Sequence, residues 1–296
     1  MIGRLLSRLL YAQYGWARPL GDFNVRWISA IFRPMRPIQD FLNGKWLGHS
    51  IHAVLTDVPI GAMTLVIIFD VVDQRAAADV TLAFGILAMV GAAVAGAADY
   101  SDTDDEPRTV ATVHATLMVI ALIAYIVSFV LRLGDNVGDR TVVIVLSLIG
   151  YVILAAGAWV GGDVVYTFGN MVNRHAWRFG PKSDWTKLDV TDVPEGTPTA
   201  AKAGAQTLVV VRQGTTVYAM HSVCAHAGGP LAQGKIVDGC IECPWHGSRF
   251  ELATGRRKQG PTTYDQPHYD VRAADGGGWE VRRVIPGQPA SAAAAR

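Results

Sequence analysis

The chain has 296 residues, 50% of them hydrophobic and only 17% charged, more apolar than an ordinary soluble domain and indicative of a membrane portion. A formal net charge of +1 leaves no excess of either sign to attract nucleic acid or an acidic substrate. Cys224, Cys240 and Cys243 fall in one short stretch, an odd and clustered set that argues against a disulfide scaffold and for metal or redox chemistry.

Residues 1–46 mix Leu, Ile, Phe and Trp with six arginines and Lys45. Arg8 interrupts the first apolar run before it reaches the length of a signal-peptide core, so no cleaved signal is expected. Such a region predicts amphipathic helices along a membrane surface, with packing on the protein's own body as the other reading.

Residues 47–170 predict a four-helix transmembrane domain. Segments 80–98 and 141–162 carry no charged residue, and 109–131 carries only His114; each is long enough to cross roughly 30 Å of hydrocarbon as a helix. A fourth segment, 51–72, holds Asp57 near one end and Asp70 near the other, with Pro59 suited to a first helical turn. Four crossings place both tails on one face. That face collects twelve basic residues: seven before the first span, then Arg108, Arg174, Arg178, Lys182 and Lys187. The opposite face has three, Arg75, Arg132 and Arg140. The asymmetry makes the first face cytoplasmic, and free thiols agree with a reducing compartment.

Ionisable residues gather at that face. His49, His52 and Asp57 begin the first span, Asp99 ends the second, and His114 lies about one turn into the third. Such groups are costly within a membrane and usually face a bundle interior. They read either as helix caps in the wet headgroup zone or as a site for a haem held between His52 and His114, a quinone or another metal. The stretch Trp46-Leu-Gly-His49-Ser-Ile-His52-Ala-Val-Leu-Thr-Asp57-Val-Pro-Ile-Gly61, with Gly161-Gly-Asp-Val-Val-Tyr166, resembles a family of small four-helix bacterial membrane proteins of unknown function. The resemblance covers residues 41–170 and implies a fold without supplying a reaction.

A connector at 171–183 leads to a small all-β domain at 184–285, where long apolar runs give way to short β-rich stretches. Segments 207–212, 216–220, 236–241 and 269–272 read as strands, with turns at 213–214 and 275–278. Residues 286–296, rich in Ala, Pro and Ser, predict a frayed tail. His175, His221 and His268 read as surface or packing histidines.

Within this domain stand Cys224-Ala-His226 and, after sixteen intervening residues, Cys243-Pro-Trp-His246. Each loop supplies one thiolate and one imidazole, which suits a two-iron, two-sulfide cluster in which the thiolates share one iron and the imidazoles the other. Gly228, Gly229, Pro230 and Gly247 allow the backbone to turn tightly and aim N–H groups at sulfide. A tetrahedral zinc site would use the same four residues, although zinc modules usually pair like ligands within one loop. Cys240 has no place in the pattern and reads as a buried small residue or a spare thiol.

The runs C-A-H-A-G-G-P-L and C-P-W-H-G-S-R-F resemble the two ligand boxes of the Rieske family, over residues 184–284. The resemblance implies iron bound by Cys224 and Cys243, a second iron bound by His226 and His246, and both imidazoles at an exposed tip. Quinol-oxidising members place two further cysteines where this chain has Gly229 and Trp245, so the match is closer to Rieske ferredoxins and the Rieske domains of ring-hydroxylating oxygenases. Ser248 is positioned to donate to a cluster sulfur, while Phe250 stands where high-potential members carry Tyr. Fewer donors stabilise the reduced state less, which implies a lower potential.

The expected function is one-electron transfer on a [2Fe–2S] cluster at the cytoplasmic membrane surface, with membrane lipid around the bundle and a redox protein or the quinone pool as partner. A complete oxygenase is not expected, because no carboxylate-plus-two-histidine iron site follows the β domain. The chain would then be the ferredoxin-like component of a system whose catalytic iron is on another subunit, or a redox sensor reporting through the bundle.

Overall fold

Long apolar stretches free of internal charge make the N-terminal half helical, and alternating short stretches with glycine turns make the C-terminal half β. A computed structural model describes residues 2–134, 140–176 and 184–284 in two units, Met1–Asn170 and Met171–Arg296. Arg178, Lys182 and the expected tail at 286–296 lie outside the described residues.

The first unit begins with α1 (Ile2–Tyr11), α2 (Tyr14–Phe32) and α3 (Arg36–Leu42). Then come α4 (Ile51–Leu55), α5 (Asp57–Val71), α6 (Arg75–Tyr100), α7 (Asp105–Arg132) and α8 (Thr141–Tyr166). Pro59 has no N–H to give to the Leu55 carbonyl, and the helical ladder breaks at Thr56 between α4 and α5. Among the described residues, Ile51–Val71 still forms one of four helical segments long and apolar enough to cross a membrane, with α6, α7 and α8. The segments pack chiefly as two hairpins, α4 and α5 with α6, and α7 with α8.

Among the described residues, the buried apolar side chains of the bundle form two separate clusters. One holds Tyr100, Val110, Val113, Val160 and Val164 together with Leu10 and Ala17 of the N-terminal helices. The other holds Met63, Val66, Leu82, Met89, Ala121, Tyr125 and Leu154. Helix α2 docks on the bundle through Gly21, where a Cβ would lie 2.6 Å from Thr112 Oγ1, and through Arg108, which pairs with Asp22 at 2.8 Å. The other face of α2 and α3 leaves Phe23, Trp27, Ile31, Ile38 and Phe41 exposed.

Arg132, one of the three basic residues counted at the opposite face, is the last residue of α7. Its side chain is 0% exposed and pairs with Asp70 at 2.6 Å and Asp79 at 2.9 Å, while its guanidinium also donates to Ser147 Oγ at 3.1 Å. Carboxylates on α5 and α6 turn it inward, since a buried cation persists only where it is paired and hydrogen-bonded. Arg140 joins the same cluster through Asp79.

The second unit is built from antiparallel sheets. Strands β1 (Thr186–Lys187), β2 (Thr199–Ala203), β3 (Gln206–Gln213), β4 (Thr216–His221), β9 (His268–Ala273) and β10 (Trp279–Arg283) form a six-stranded sheet in the order β1-β10-β9-β4-β3-β2. Strands β5 (Lys235–Val237), β6 (Cys240–Glu242), β7 (Arg249–Glu251) and β8 (Arg257–Gln259) form a four-stranded sheet in chain order. The single strand expected at 236–241 is therefore a hairpin. Asp238 and Gly239 take φ of 50° and 71°, the left-handed pair that an Asp-Gly turn supplies, so Val237 pairs with Cys240. An apolar cluster containing Val209, Met220, Leu231, Ile241 and Phe250 also contains Cys224 and Cys243.

Candidate metal centre

The two cysteine loops are built alike. Cys224 N–H donates to the Gly229 carbonyl at 2.8 Å and Gly228 N–H to the Cys224 carbonyl at 3.1 Å; Cys243 N–H donates to the Ser248 carbonyl at 2.8 Å and Gly247 N–H to the Cys243 carbonyl at 3.1 Å. In both, the glycine four residues after the cysteine has a positive φ, 90° at Gly228 and 70° at Gly247, a conformation that favours glycine. The first loop follows β4, and the second connects β6 to β7. Two short matched turns thus leave strands of the two different sheets.

Like side chains meet like. The Cys224 and Cys243 thiols are hydrogen-bonded to each other, and the rings of His226 and His246 have centroids 4.9 Å apart at 85°. Shared hydrogen bonding brings the Cys243 thiol down to about 7, and that same bond, with burial, holds the Cys224 thiol well up. The first proton leaves the pair readily and the second is retained. Backbone N–H groups of His226 and Ala227 face the Cys224 sulfur, and those of Trp245 and His246 face the Cys243 sulfur, arrays suited to stabilise negative charge there.

His226 is only 3% exposed. Burial, with His246 and Arg174 nearby, lowers its pKa to about 3, so the ring is neutral. Of the two imidazoles expected at an exposed tip, His226 is buried and His246 is half-buried, beside Trp245, which is 53% exposed. Among the described residues, neither ring nitrogen of His226 has a hydrogen-bond partner, and neither does the buried hydroxyl of Ser248. Such orphans inside a protein are costly unless something satisfies them. At Gly229 a Cβ would lie 2.7 Å from Cys243 Sγ and 3.2 Å from the Trp245 ring, so glycine keeps space open beside the sulfur. These features fit a metal–sulfide group bound between a thiol pair and an imidazole pair.

Phe250 lies on β7 opposite Ile241, fully buried in the cluster that contains both thiols. Cys240 begins β6, opposite Val237 and Glu251 on the neighbouring strands, and burial raises its thiol pKa. His175 and His221 pack ring on ring at 4.6 Å. Gln266 is a further site residue, fully buried. Its Oε1 accepts the Ala225 N–H at 2.9 Å, and its Nε2 donates to the His221 and Val223 carbonyls at 2.7 Å each. No local signal marks it, because it lies forty residues beyond the loop it braces.

Of the five ionisable residues at the helix ends, only two come together. The rings of His52 and His114 have centroids 6.1 Å apart. Asp99 instead accepts the Ser50 hydroxyl, His49 turns to the Ser50 carbonyl at 3.4 Å, and Asp57 is exposed.

A small antiparallel β domain that presents paired thiols and paired imidazoles on two matched loops defines an iron–sulfur electron carrier. The model of the Rieske [2Fe-2S] domain matches residues 175–270, and that of the predicted membrane protein family DUF2231 matches residues 48–174. The chain is 36% identical to the anthranilate 1,2-dioxygenase ferredoxin subunit of Burkholderia cepacia, over 32% of this chain and 88% of that one. It is 32% identical to the ferredoxin CarAc of Metapseudomonas resinovorans, over 31% and 88%. Among solved structures it is similar to the ferredoxin of carbazole 1,9a-dioxygenase from Nocardioides aromaticivorans IC177, with 33% identity over 34% of this chain and 98% of that one and a TM-score of 0.32. The chain belongs to the Rieske [2Fe–2S] family through its C-terminal domain, which is fused to a DUF2231 membrane domain.

Proposed function

We propose that Cys224 and Cys243 hold one iron of a Rieske [2Fe–2S] cluster and His226 and His246 the other, and that the bundle anchors this carrier at the cytoplasmic membrane surface. The pairing of thiol with thiol and imidazole with imidazole carries the assignment. When bound, the cluster supplies reversible one-electron transfer. The protein's own contribution is positional. Matched turns fix the two thiols, backbone N–H groups offset negative charge at sulfur, Gln266 braces the first loop, and the apolar cluster keeps water from the thiol side. Half-buried His246 and exposed Trp245 give a partner a route to the imidazole side.

The names of the relatives, ferredoxin subunits of dioxygenases, favour a redox partner protein such as an oxygenase bearing its own catalytic iron. Twelve basic residues against three on the two faces of the bundle support the cytoplasmic placement.

The test is low-temperature EPR of the reduced, detergent-purified full chain, with metal analysis. A Rieske-type signal is expected in the wild type and its loss in Cys224→Ser and His246→Ala, with membrane insertion retained. Stoichiometric zinc without iron would falsify the assignment. A reporter fused after Arg296 should be active only as a cytoplasmic reporter; periplasmic activity overturns the orientation.

A further inference from the structure

His52 and His114 are seated by the same device, used twice. His52 Nδ1 donates to the Ala92 carbonyl at 2.8 Å, and His114 Nδ1 donates to the Gly157 carbonyl at 2.8 Å. A carbonyl only accepts, so each ring carries its proton on Nδ1 and presents the lone pair of Nε2. One helical turn beyond each carbonyl stands a glycine under the ring. A Cβ at Gly96 would lie 2.9 Å from His52 Nδ1, and one at Gly161 2.9 Å from His114 Nδ1. Both helical hairpins therefore offer a carbonyl and, four residues later, a glycine to a histidine of the preceding segment. The local sequences echo this, with His52-Ala-Val-Leu in one hairpin and His114-Ala-Thr-Leu in the other.

The two rings meet across the hairpins, 6.1 Å apart at 77°. Among the described residues, the one hydrogen bond of each ring is the one at Nδ1. The bundle's apolar core is divided at this level: Val113 and Val160 belong to one cluster, and Met89 and Leu154 to the other. Ala92 and Ala95, although buried, join neither, and small side chains at Ala92, Gly96, Gly157 and Gly161 surround the rings.

Locking Nδ1–H on a carbonyl is how proteins orient an imidazole for a metal at Nε2. The centroid spacing matches two rings on opposite sides of one metal, each nitrogen about 2 Å from it. A lone ion would need about three or four protein ligands, and among the described residues no group of three or more His, Cys, Asp or Glu side chains is placed to hold one. A haem brings four equatorial nitrogens of its own and asks the protein only for axial ligands and an apolar slot. We propose that His52 and His114 are the two axial ligands of a non-covalently bound b-type haem held between the hairpins. This inference stands on the bundle alone and is independent of the cluster ligands.

The test uses the full chain in detergent, titrated with iron protoporphyrin IX and read by optical and EPR spectra, with the iron–sulfur signal recorded on the same samples. One haem per chain with a low-spin, bis-imidazole spectrum is expected. His52→Ala and His114→Ala should each abolish the low-spin spectrum and weaken binding by more than about tenfold, and added imidazole should restore the spectrum. Gly96→Val and Gly161→Val, which push on the rings without removing them, should perturb it. The proposal is overturned if no haem binds to protein whose iron–sulfur signal is intact, if both histidine variants keep the wild-type spectrum, or if metal analysis finds another metal at the pair. Haem bound to protein that lacks the iron–sulfur signal would sink the cluster assignment and leave this one standing.

Discussion

Gln266 closes on Ala225 from forty-one residues away, its Oε1 accepting the Ala225 N–H at 2.9 Å while its Nε2 spans the carbonyls of His221 and Val223 at 2.7 Å each. One side chain thus ties the end of β4 to the loop between Cys224 and His226. Gln266→Ala leaves a donor and two acceptors short of a partner in a buried site, a loss of about 2–4 kcal/mol. Gln266→Glu keeps the acceptor and loses both donations, so it should be no milder. The measurement is thermal unfolding followed in parallel by far-UV circular dichroism and by cluster absorbance. Both variants should lose absorbance at a lower temperature than the wild type; unchanged melting would mean the clamp is dispensable.

Ser248 and Phe250 should tune the potential in opposite senses. The Ser248 hydroxyl is buried without a partner among the described residues, which leaves it free to donate to sulfur, and a donor at sulfur favours the more negative reduced cluster. Ser248→Ala should therefore lower the reduction potential. Phe250 shares the apolar cluster of both thiols, so Phe250→Tyr brings a hydroxyl to the same region and should raise it. Protein-film voltammetry reads both shifts. If neither variant moves the potential, these side chains do not face the sulfurs.

Much of this was legible because the chemistry is local. The four proposed ligands lie in two short loops whose residue types speak for themselves, and a membrane span is long enough for composition alone to mark it. What escaped is what depends on distant partners. The hairpin at Val237 and Cys240 is the exception: Asp238-Gly239 is a local turn signal, overridden in the sequence reading by the β-forming Ile236, Val237 and Ile241 on both sides of it. Arg132 counts in the sequence only as a basic residue at one face, because nothing nearby shows that Asp70 and Asp79 converge on it. The layer of ionisable residues at the helix ends was visible, but not its division. Only the fold sends Asp99 to Ser50 and leaves His52 facing His114.

Arg132 predicts the sharpest stability loss in the bundle. It holds Asp70 and Asp79, from two other helices, at 2.6 and 2.9 Å, and removing one partner of a buried ion pair strands the other. Arg132→Ala should cost about 3–5 kcal/mol, read as a lower melting temperature of the helical signal in detergent. Arg132→Lys should recover only part of this, because a single ammonium cannot replace a guanidinium that reaches two carboxylates and Ser147 together. Arg132→Met combined with Asp70→Asn should fare better than Arg132→Ala, since it removes one of the stranded charges. A wild-type melting temperature for Arg132→Ala would show that the network contributes little.

The docking of the N-terminal helices should weaken as pH rises. Asp102 lies in the connection between α6 and α7, buried, where Gln39 Nε2 and Asn43 Nδ2 donate to its Oδ2 at 2.9 and 3.1 Å. Burial lifts its pKa from the ordinary 3.8 to about 7, against the hydrogen bonds of Asn43 and Gln39 and the charge of Arg36, which pull it down. Between these two values the docked state holds a proton that the undocked state has released, so docking is favoured at the low end and loses ground as pH climbs towards about 7. Above that value both states are ionised and the dependence flattens. Hydrogen exchange of α3 amides in detergent, corrected for the intrinsic pH dependence, should therefore show less protection at pH 8 than at pH 5. Asp102→Asn keeps an oxygen for Gln39 and Asn43 without the charge, and its protection should stay flat across the range. Equal slopes in the two proteins would mean that another group governs the docking.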